Sequence, residues 1–115
     1  MSSSKFTKLP DPPYYAVIFS SQRTEGDSGY AETAERMEEL VATMPGFLGA
    51  ESVRGADGFG MTVAYFDTEE NIRTWRNQSE HTDARSRGRS QWYSHFEVRV
   101  AKVERAYNFA TVQDC

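Results

Sequence analysis

Residues 75–95 contain side chains whose types suit a site for a flat aromatic acid or quinone. Tryptophan rings stack on aromatic ligands, guanidinium groups bind oxyanions, and imidazole exchanges a proton near neutral pH. The group comprises Trp75, His81, Arg85, Arg89, Trp92, Tyr93 and His95. His81 and Arg85 are four residues apart, so they share one face of a regular helix. Trp75 and His81 are six apart and meet only if an interruption bends the helix between them.

The same residues also have a structural interpretation, and the sequence leaves both open. The two tryptophans can be core residues, and the two histidines can be half-exposed residues that satisfy ordinary hydrogen bonds. The run Arg85, Arg87 and Arg89 can be the cationic last turn of a helix that a left-handed Gly88 caps. Its alternative role is an anion site.

Common metal-binding and cofactor-binding patterns are absent from the sequence. The two histidines lie 14 residues apart without clustered cysteines, which does not match a metal-ligand spacing. The glycines at 55, 58 and 60 precede neither a helix nor a Lys-Ser/Thr pair, so they do not form a phosphate loop. No nucleophile elbow or Cys/His pair is present. We therefore predict no metal site and no cofactor.

Length and charge indicate one small domain with few classes of partner. The chain has 115 residues and a net charge of −4, with 13 basic and 17 acidic residues, which gives no reason to expect nucleic-acid or membrane binding. Cys115 is the single cysteine, so no intramolecular disulfide can form. No apolar run resembles a signal peptide or a membrane span. These features predict a cytoplasmic protein.

The apolar pattern predicts four strands and two helices in the order β-α-β-β-α-β. Strands are predicted at 14–21, 47–54 and 60–66 and within 92–109, and helices at 30–44 and 68–87. The turn at 55–58 is a hairpin signal that joins the second and third strands. The second helix loses its apolar spacing at 77–79, where we expect a break. Such a break could bring Trp75 and His81 together.

Local signals predict where these elements begin and where one strand is irregular. Ser28 is the predicted N-cap of the first helix. Asp67 is the predicted N-cap of the second helix, in a capping box with Glu70. The last strand changes its apolar parity between Val100 and Val103, which predicts a β-bulge there.

This element order is typical of an α+β, ferredoxin-like fold with a four-stranded antiparallel sheet. Its two helices cover only one face of the sheet, yet the first and third strands are apolar on both faces. A second copy of the sheet would cover the other face, so we predict a homodimer. The domain is predicted at 14–109, between a flexible N-terminal arm at 1–13 and a flexible C-terminal tail at 110–115.

Several short segments of this domain match a known family. They are Met44–Gly49, Tyr65–Glu70, Trp75-Arg76, Glu80-His81, Gly88–Tyr93 and Val103–Tyr107. On these segments, residues 14–109 resemble the antibiotic biosynthesis monooxygenase domain family, within the dimeric α/β-barrel superfamily. The resemblance implies a homodimeric α/β barrel with a pocket between the sheet and the helices of each subunit.

The resemblance implies one of two oxygenase activities. Cofactor-free members bind an electron-rich phenolate that itself reduces oxygen, and they place Asn and Trp where this chain has Thr62 and Phe66. Haem-degrading members have a helix Trp, which Trp75 matches, and a ligating His ten residues later. This chain has Arg85 at that position, and arginine cannot ligate iron, so haem binding would need His81 or His95 as the ligand.

We therefore predict a cofactor-independent monooxygenase that oxidises a small aromatic or polyketide-like phenol with O2. His81 is the predicted base, and Arg85 or Arg89 stabilises the oxyanion. Candidate substrate-binding residues are Trp75, Arg89, Trp92, Tyr93, His95, Tyr65 and Phe66. The alternatives are a haem-binding or haem-degrading monooxygenase and a non-catalytic ligand-binding dimer of the same fold.

Overall fold

The computed structural model describes residues 5–111, which form one four-stranded sheet with helices along one face. The strands are β1 (Tyr14–Arg23), β2 (Phe47–Arg54), β3 (Phe59–Phe66) and β4 (Tyr93–Val103). The helices are α1 (Tyr30–Val41), α2 (Glu69–Arg76) and α3 (Ser79–Arg87), and a π-helical turn (Gly88–Trp92) joins α3 to β4. Within residues 5–111, no helix has the length and apolar character needed to cross a bilayer.

The sheet has the strand order β2-β3-β1-β4, and each neighbouring pair is antiparallel. With the observed element order, this is the ferredoxin-like arrangement, so the predicted α+β fold is confirmed. The predicted break also occurs, because the second helical segment is divided into α2 and α3. β1 continues to Arg23, two residues beyond its predicted end.

The strand register assigns each side chain to one of two sheet faces. The ring of Phe19 meets that of Tyr93 at 5.3 Å, and Tyr93 meets Tyr30 of α1 at 6.0 Å, so this face lies toward the helices. We call it the helical face, and the opposite one the open face. Side chains alternate between the two faces along a strand. Met61 and Val63 of β3 therefore lie on the open face, and their neighbours at 62 and 64 lie on the helical face. β1 and β3 are therefore apolar on both faces.

Part of the N-terminal arm packs on β2. The Thr7 amide donates a hydrogen bond to the Glu51 carboxylate at 3.0 Å, and the Thr7 hydroxyl donates to the Ala50 carbonyl oxygen at 2.8 Å. Gly49 lies beneath Thr7 with a φ of 149°, and a side chain at this position would collide with Thr7. The arm thus contacts the sheet at Thr7, while residues 1–4 and 112–115 of the predicted arm and tail lie outside the described residues.

The start of α1 differs from the prediction. α1 follows Gly29, whose φ is 84°, and the Asp27 carboxylate accepts hydrogen bonds from the Gly29 and Ala31 amides at 2.9 and 3.1 Å. The prediction that Ser28 caps the helix is wrong, because the Asp27 carboxylate already occupies these amides. Ser28 itself adopts a positive φ of 50° in the tight turn before the helix.

The start of α2 also differs from the prediction. Thr68 is the N-cap, and its hydroxyl accepts a hydrogen bond from the Asn71 amide at 3.1 Å. Asp67 lies one residue before the cap, where its carboxylate accepts from the Asn71 side-chain amide at 2.8 Å. The predicted capping box of Asp67 and Glu70 is therefore wrong by one residue.

The junction of α3 and β4 corrects two further predictions. Gly88 has a right-handed φ of −56°, so it is not a left-handed cap. Its small size has another use, because a Cβ there would lie 3.1 Å from the Tyr93 ring. The irregularity in β4 occurs opposite the end of β1, not between Val100 and Val103. Gln22 pairs with His95 and Arg23 with Tyr93, so Ser94 is the extra residue that shifts the register at that end.

Candidate functional site

The break between α2 and α3 stacks Trp75 on His81. α2 ends at Arg76, and Gln78 caps α3 by accepting a hydrogen bond from the His81 amide at 2.8 Å. This turn places the imidazole of His81 against the indole of Trp75, with ring centroids 4.0 Å apart and an interplanar angle of 11°. The sequence prediction that an interruption would unite these two residues agrees with this geometry.

The hydrogen bond of His81 defines which ring nitrogen is basic. His81 Nδ1 lies 2.8 Å from the carbonyl oxygen of Trp75. A carbonyl oxygen can only accept, so Nδ1 carries the proton and Nε2 keeps its lone pair. Nε2 has no partner among the described residues, and no buried side-chain nitrogen or oxygen there lacks one. Nε2 is therefore reachable from solvent.

The surroundings of His81 keep it neutral at pH 7. Burial lowers the pKa of His81 below its usual range, the bond to Trp75 opposes this shift, and the charge of Arg85 adds to it. A neutral imidazole with a free Nε2 is a base that can accept a proton from a bound ligand.

Arg85 lies close enough to His81 for its charge to act on the imidazole, and Arg76 and Arg89 lie near Arg85. Arg85 Nη1 donates a hydrogen bond to the Arg76 carbonyl oxygen at 3.3 Å. Burial and the charges of Arg76 and Arg89 lower the pKa of Arg85, although a guanidinium group stays protonated at neutral pH. In the part of the chain that the structure describes, no carboxylate lies within 4.0 Å of these three groups. They form a positive surface suited to an anionic group.

Trp92 has the packing that the structural interpretation predicts for it, and the neighbouring Tyr93 is also packed against the sheet. Trp92 is only 3 % exposed, and its indole nitrogen donates to the Ser28 carbonyl oxygen at 3.0 Å. Tyr93 is half-buried against Phe19 and Tyr30. Burial raises the pKa of Tyr93, and a hydrogen bond with Tyr30 raises it further, so its hydroxyl remains protonated at physiological pH.

The structure places two other candidate residues on the opposite face of the sheet from the Trp75–His81 pair and buries a third, Phe66. Phe66 is fully buried and packs against Phe47 with ring centroids 5.6 Å apart. Tyr65 and His95 lie on the open face, because their register partners on β1 are Ala16 and Gln22. His95 is exposed there, with Nε2 at 2.9 Å from a Glu97 carboxylate oxygen. Alternation along a strand therefore places Tyr65 and His95 on the far side of the sheet from His81.

Sequence reasoning missed a second group on the helical face. We name it the arginine–tyrosine cluster, and it consists of Arg23, Tyr30, Arg54 and Tyr93. Two of its members are arginines on strands, and strand periodicity assigns their faces. The pattern carries no signal, however, for where such long side chains end.

Comparison with known proteins identifies what this fold is similar to. A family model described as antibiotic biosynthesis monooxygenase matches residues 13–87. The Bacillus subtilis protein YqjZ is 60 % identical over 99 residues, which cover 86 % of this chain and 87 % of YqjZ. The SnoaB structure from Streptomyces nogalater, described as a cofactor-independent oxygenase, has a TM-score of 0.70 at 13 % identity and covers 83 % of this chain and 97 % of SnoaB. Rv0793 from Mycobacterium tuberculosis has a TM-score of 0.68 at 13 % identity, covering 85 % and 99 % of the two chains.

Proposed function

Because the chain belongs to the antibiotic biosynthesis monooxygenase family, we propose that it is a cofactor-independent monooxygenase that oxidises a small aromatic or polyketide-like phenol with O2. The observation that supports this most directly is His81, whose Nε2 is unprotonated and reachable beside Trp75. The similarity of its fold to that of SnoaB, a cofactor-independent oxygenase, agrees with a reaction that needs no cofactor. Arg85 is the cation next to this base.

The proposed reaction begins with transfer of the phenol proton to His81 Nε2. The resulting phenolate is stabilised by Arg85, and it donates one electron to O2, which gives superoxide and a phenoxyl radical. These combine through a carbon–oxygen bond to form a peroxide anion, which takes the proton back from His81 Nε2 to give a hydroperoxide. For a substrate with a ring CH2 group, loss of water leaves a carbonyl, so one oxygen atom enters the product and the other leaves as water.

The geometry limits where the substrate ring can bind. The imidazole covers one face of the Trp75 indole, so a substrate can use only the other face or the edge of that ring. Nε2 must lie within hydrogen-bond reach of the phenol, which places the phenol at the exposed side of the imidazole. Arg89, whose guanidinium carbon is 6.0 Å from the Phe96 ring centroid, is a further cation near Arg85.

Oxygen consumption with a panel of hydroxylated anthrones and naphthols tests this proposal. We expect His81→Ala to lower kcat by about 100-fold or more, which is the usual contribution of a general base. His95→Ala is the matched control, because His95 lies on the open face, and it should stay within about twofold of the wild-type rate. Equal rates in the His81 variant and the wild type would rule out His81 as the base.

A haem-binding protein is the second candidate function, and the free Nε2 of His81 favours it. An axial imidazole ligand usually donates its other ring N–H to an oxygen acceptor, as His81 does to Trp75. Titration with haemin would then give a Soret shift that His81→Ala removes, followed by bleaching with a reductant. A flat haemin titration excludes this function. No turnover together with no haem binding would support the non-catalytic ligand-binding dimer.

The proposal includes a homodimer formed through the open face. Val53, Phe59 and Met61 lie there with 70, 51 and 37 % of their surfaces exposed. Covering these side chains with a second copy of the sheet would remove them from water, which favours association. A chain with one cysteine cannot form an internal disulfide, which agrees with a cytoplasmic location.

A further inference from the structure

The arginine–tyrosine cluster joins two guanidinium groups to two phenol rings on the helical face. The guanidinium carbon of Arg23 lies 3.6 Å from the ring centroid of Tyr30. The guanidinium carbon of Arg54 lies 6.0 Å from the same ring and 5.9 Å from that of Tyr93. Two positive charges therefore flank one pair of tyrosines.

Hydrogen bonds fix the position of Arg54. Its Nη1 donates to the carbonyl oxygens of Gly58 at 2.6 Å and Ser21 at 3.3 Å, and its Nη2 donates to the Ser21 hydroxyl at 2.8 Å. Ser21 is 1 % exposed, so this anchor is buried. Gly60 leaves room for the arginine, because a Cβ there would lie 2.8 Å from the Arg54 guanidinium carbon.

Arg23 is held in a similar way. Its Nε donates to the Trp92 carbonyl oxygen at 3.0 Å, and its Nη2 donates to the Gly26 carbonyl oxygen at 2.9 Å. Every hydrogen-bond acceptor of Arg23 and Arg54 is therefore an uncharged oxygen. These bonds orient the two cations but do not neutralise them.

The charge of the cluster has no anionic partner in residues 5–111. No carboxylate there lies within 4.0 Å of the Arg23 or Arg54 guanidinium nitrogens. Two acidic residues of the adjoining turns, Asp27 and Asp57, accept hydrogen bonds from main-chain amides instead. Asp27 accepts from amides at the start of α1, and Asp57 accepts from the Phe59 amide at 3.0 Å. Partly buried cations without a counter-ion favour the binding of an anion.

Free donors of the cluster remain accessible. Nη1 of Arg23 and Nε of Arg54 form no hydrogen bond with any described residue. Neither residue is fully exposed, and no buried side-chain nitrogen in the described chain lacks a partner, so both atoms are reachable from solvent. An incoming oxyanion can therefore bond to them without breaking the anchors.

We propose that the arginine–tyrosine cluster is a binding site for a carboxylate carried on an aromatic body, additional to the site at His81. Guanidinium groups donate strong hydrogen bonds to carboxylate oxygens, and both cations lie beside the rings of Tyr30 and Tyr93, which pack with Phe19. The site does not depend on the oxygenase activity.

Isothermal titration of the full chain with benzoate tests the site. Benzamide has the same shape without the charge, and we expect it to bind at least tenfold more weakly. Acetate, which lacks the ring, should also bind more weakly than benzoate. Equal affinities for benzoate and benzamide, or tighter binding of inorganic phosphate than of benzoate, would overturn the proposal. This comparison uses only the wild-type protein.

Variants then locate the bound carboxylate. Arg54→Gln and Arg23→Gln should each weaken benzoate binding about tenfold or more. Arg99→Gln is the matched control, because Arg99 lies on the open face in an ion pair with Glu97, and it should leave binding unchanged. Loss of binding in Arg85→Gln with normal binding in Arg54→Gln would assign benzoate to the His81 site and refute the proposal, whatever the outcome of the oxygen assays.

Discussion

Replacing Gln78 with alanine tests how the break between α2 and α3 positions His81. The Gln78 side chain accepts the His81 amide at 2.8 Å, so Gln78→Ala removes the cap of α3. Loss of an N-cap bond costs about 1 kcal/mol, which lowers Tm by about 4 °C in a domain of this size. A frayed α3 also exposes the imidazole, and because burial is the main cause of the lowered pKa of His81, the pKa should rise toward its usual range.

The assays are thermal unfolding, oxygen consumption and an NMR titration of the His81 ring protons, with the His95 signals as an internal reference. Thr68→Ala is the matched control, since it removes the equivalent cap bond of α2, at 3.1 Å from the Asn71 amide. It should lower Tm by a similar amount and leave the pKa of His81 where it is. A Gln78→Ala protein with a lowered Tm but an unchanged pKa and unchanged oxygen consumption would refute the reasoning.

Three further predictions concern stability, pH and assembly. Gly46→Ala should lower the free energy of unfolding in urea by about 2 kcal/mol or more, because φ is 78° and a Cβ would collide with Asp67. Gly26→Ala is the control: φ is 80° there, no atom lies near the position of the new Cβ, and the cost should be only about 1 kcal/mol. Burial lowers the pKa of His81, so the folded state binds fewer protons than the unfolded chain as the pH falls through 6.5. The unfolding free energy should then drop on acidification more steeply than in His81→Gln, and parallel pH profiles in urea would contradict this. Phe59→Asp on the open face should give a monomer in sedimentation velocity, whereas Val98→Asp, equally exposed at 51 % on the helical face, should not.

The sequence predicts the elements well because their signals are local. Alternation and helical spacing are read within about ten residues, and the hairpin at 55–58 needs only its own glycines. The loss of apolar spacing at 77–79 predicts the break that allows Trp75 and His81 to meet. Helix caps are harder, because Asp27 and Ser28 are equally good candidates by type, and only the backbone angles decide between them.

The site is harder to predict because it depends on which face of the sheet each strand residue occupies and on what the long side chains contact. His95 and Phe96 are neighbours, so a shift of one residue decides which of them faces the helices. Arg54 donates a hydrogen bond to Ser21, which is 33 positions away in the chain, and no sequence periodicity predicts that contact. Pattern analysis therefore does not predict which residue a long side chain contacts on another strand.

The hydrogen bond from His81 ends on a main-chain oxygen, and this separates two properties of the base. Every residue type at position 75 supplies the same carbonyl, so exchange of the indole can change the ring environment without moving the proton from Nδ1. The aromatic surface at position 75 can therefore change in relatives of this chain while the tautomer of His81 stays the same. Substitution at position 75 would change the pKa of His81, while Nε2 would remain the atom that takes up the proton.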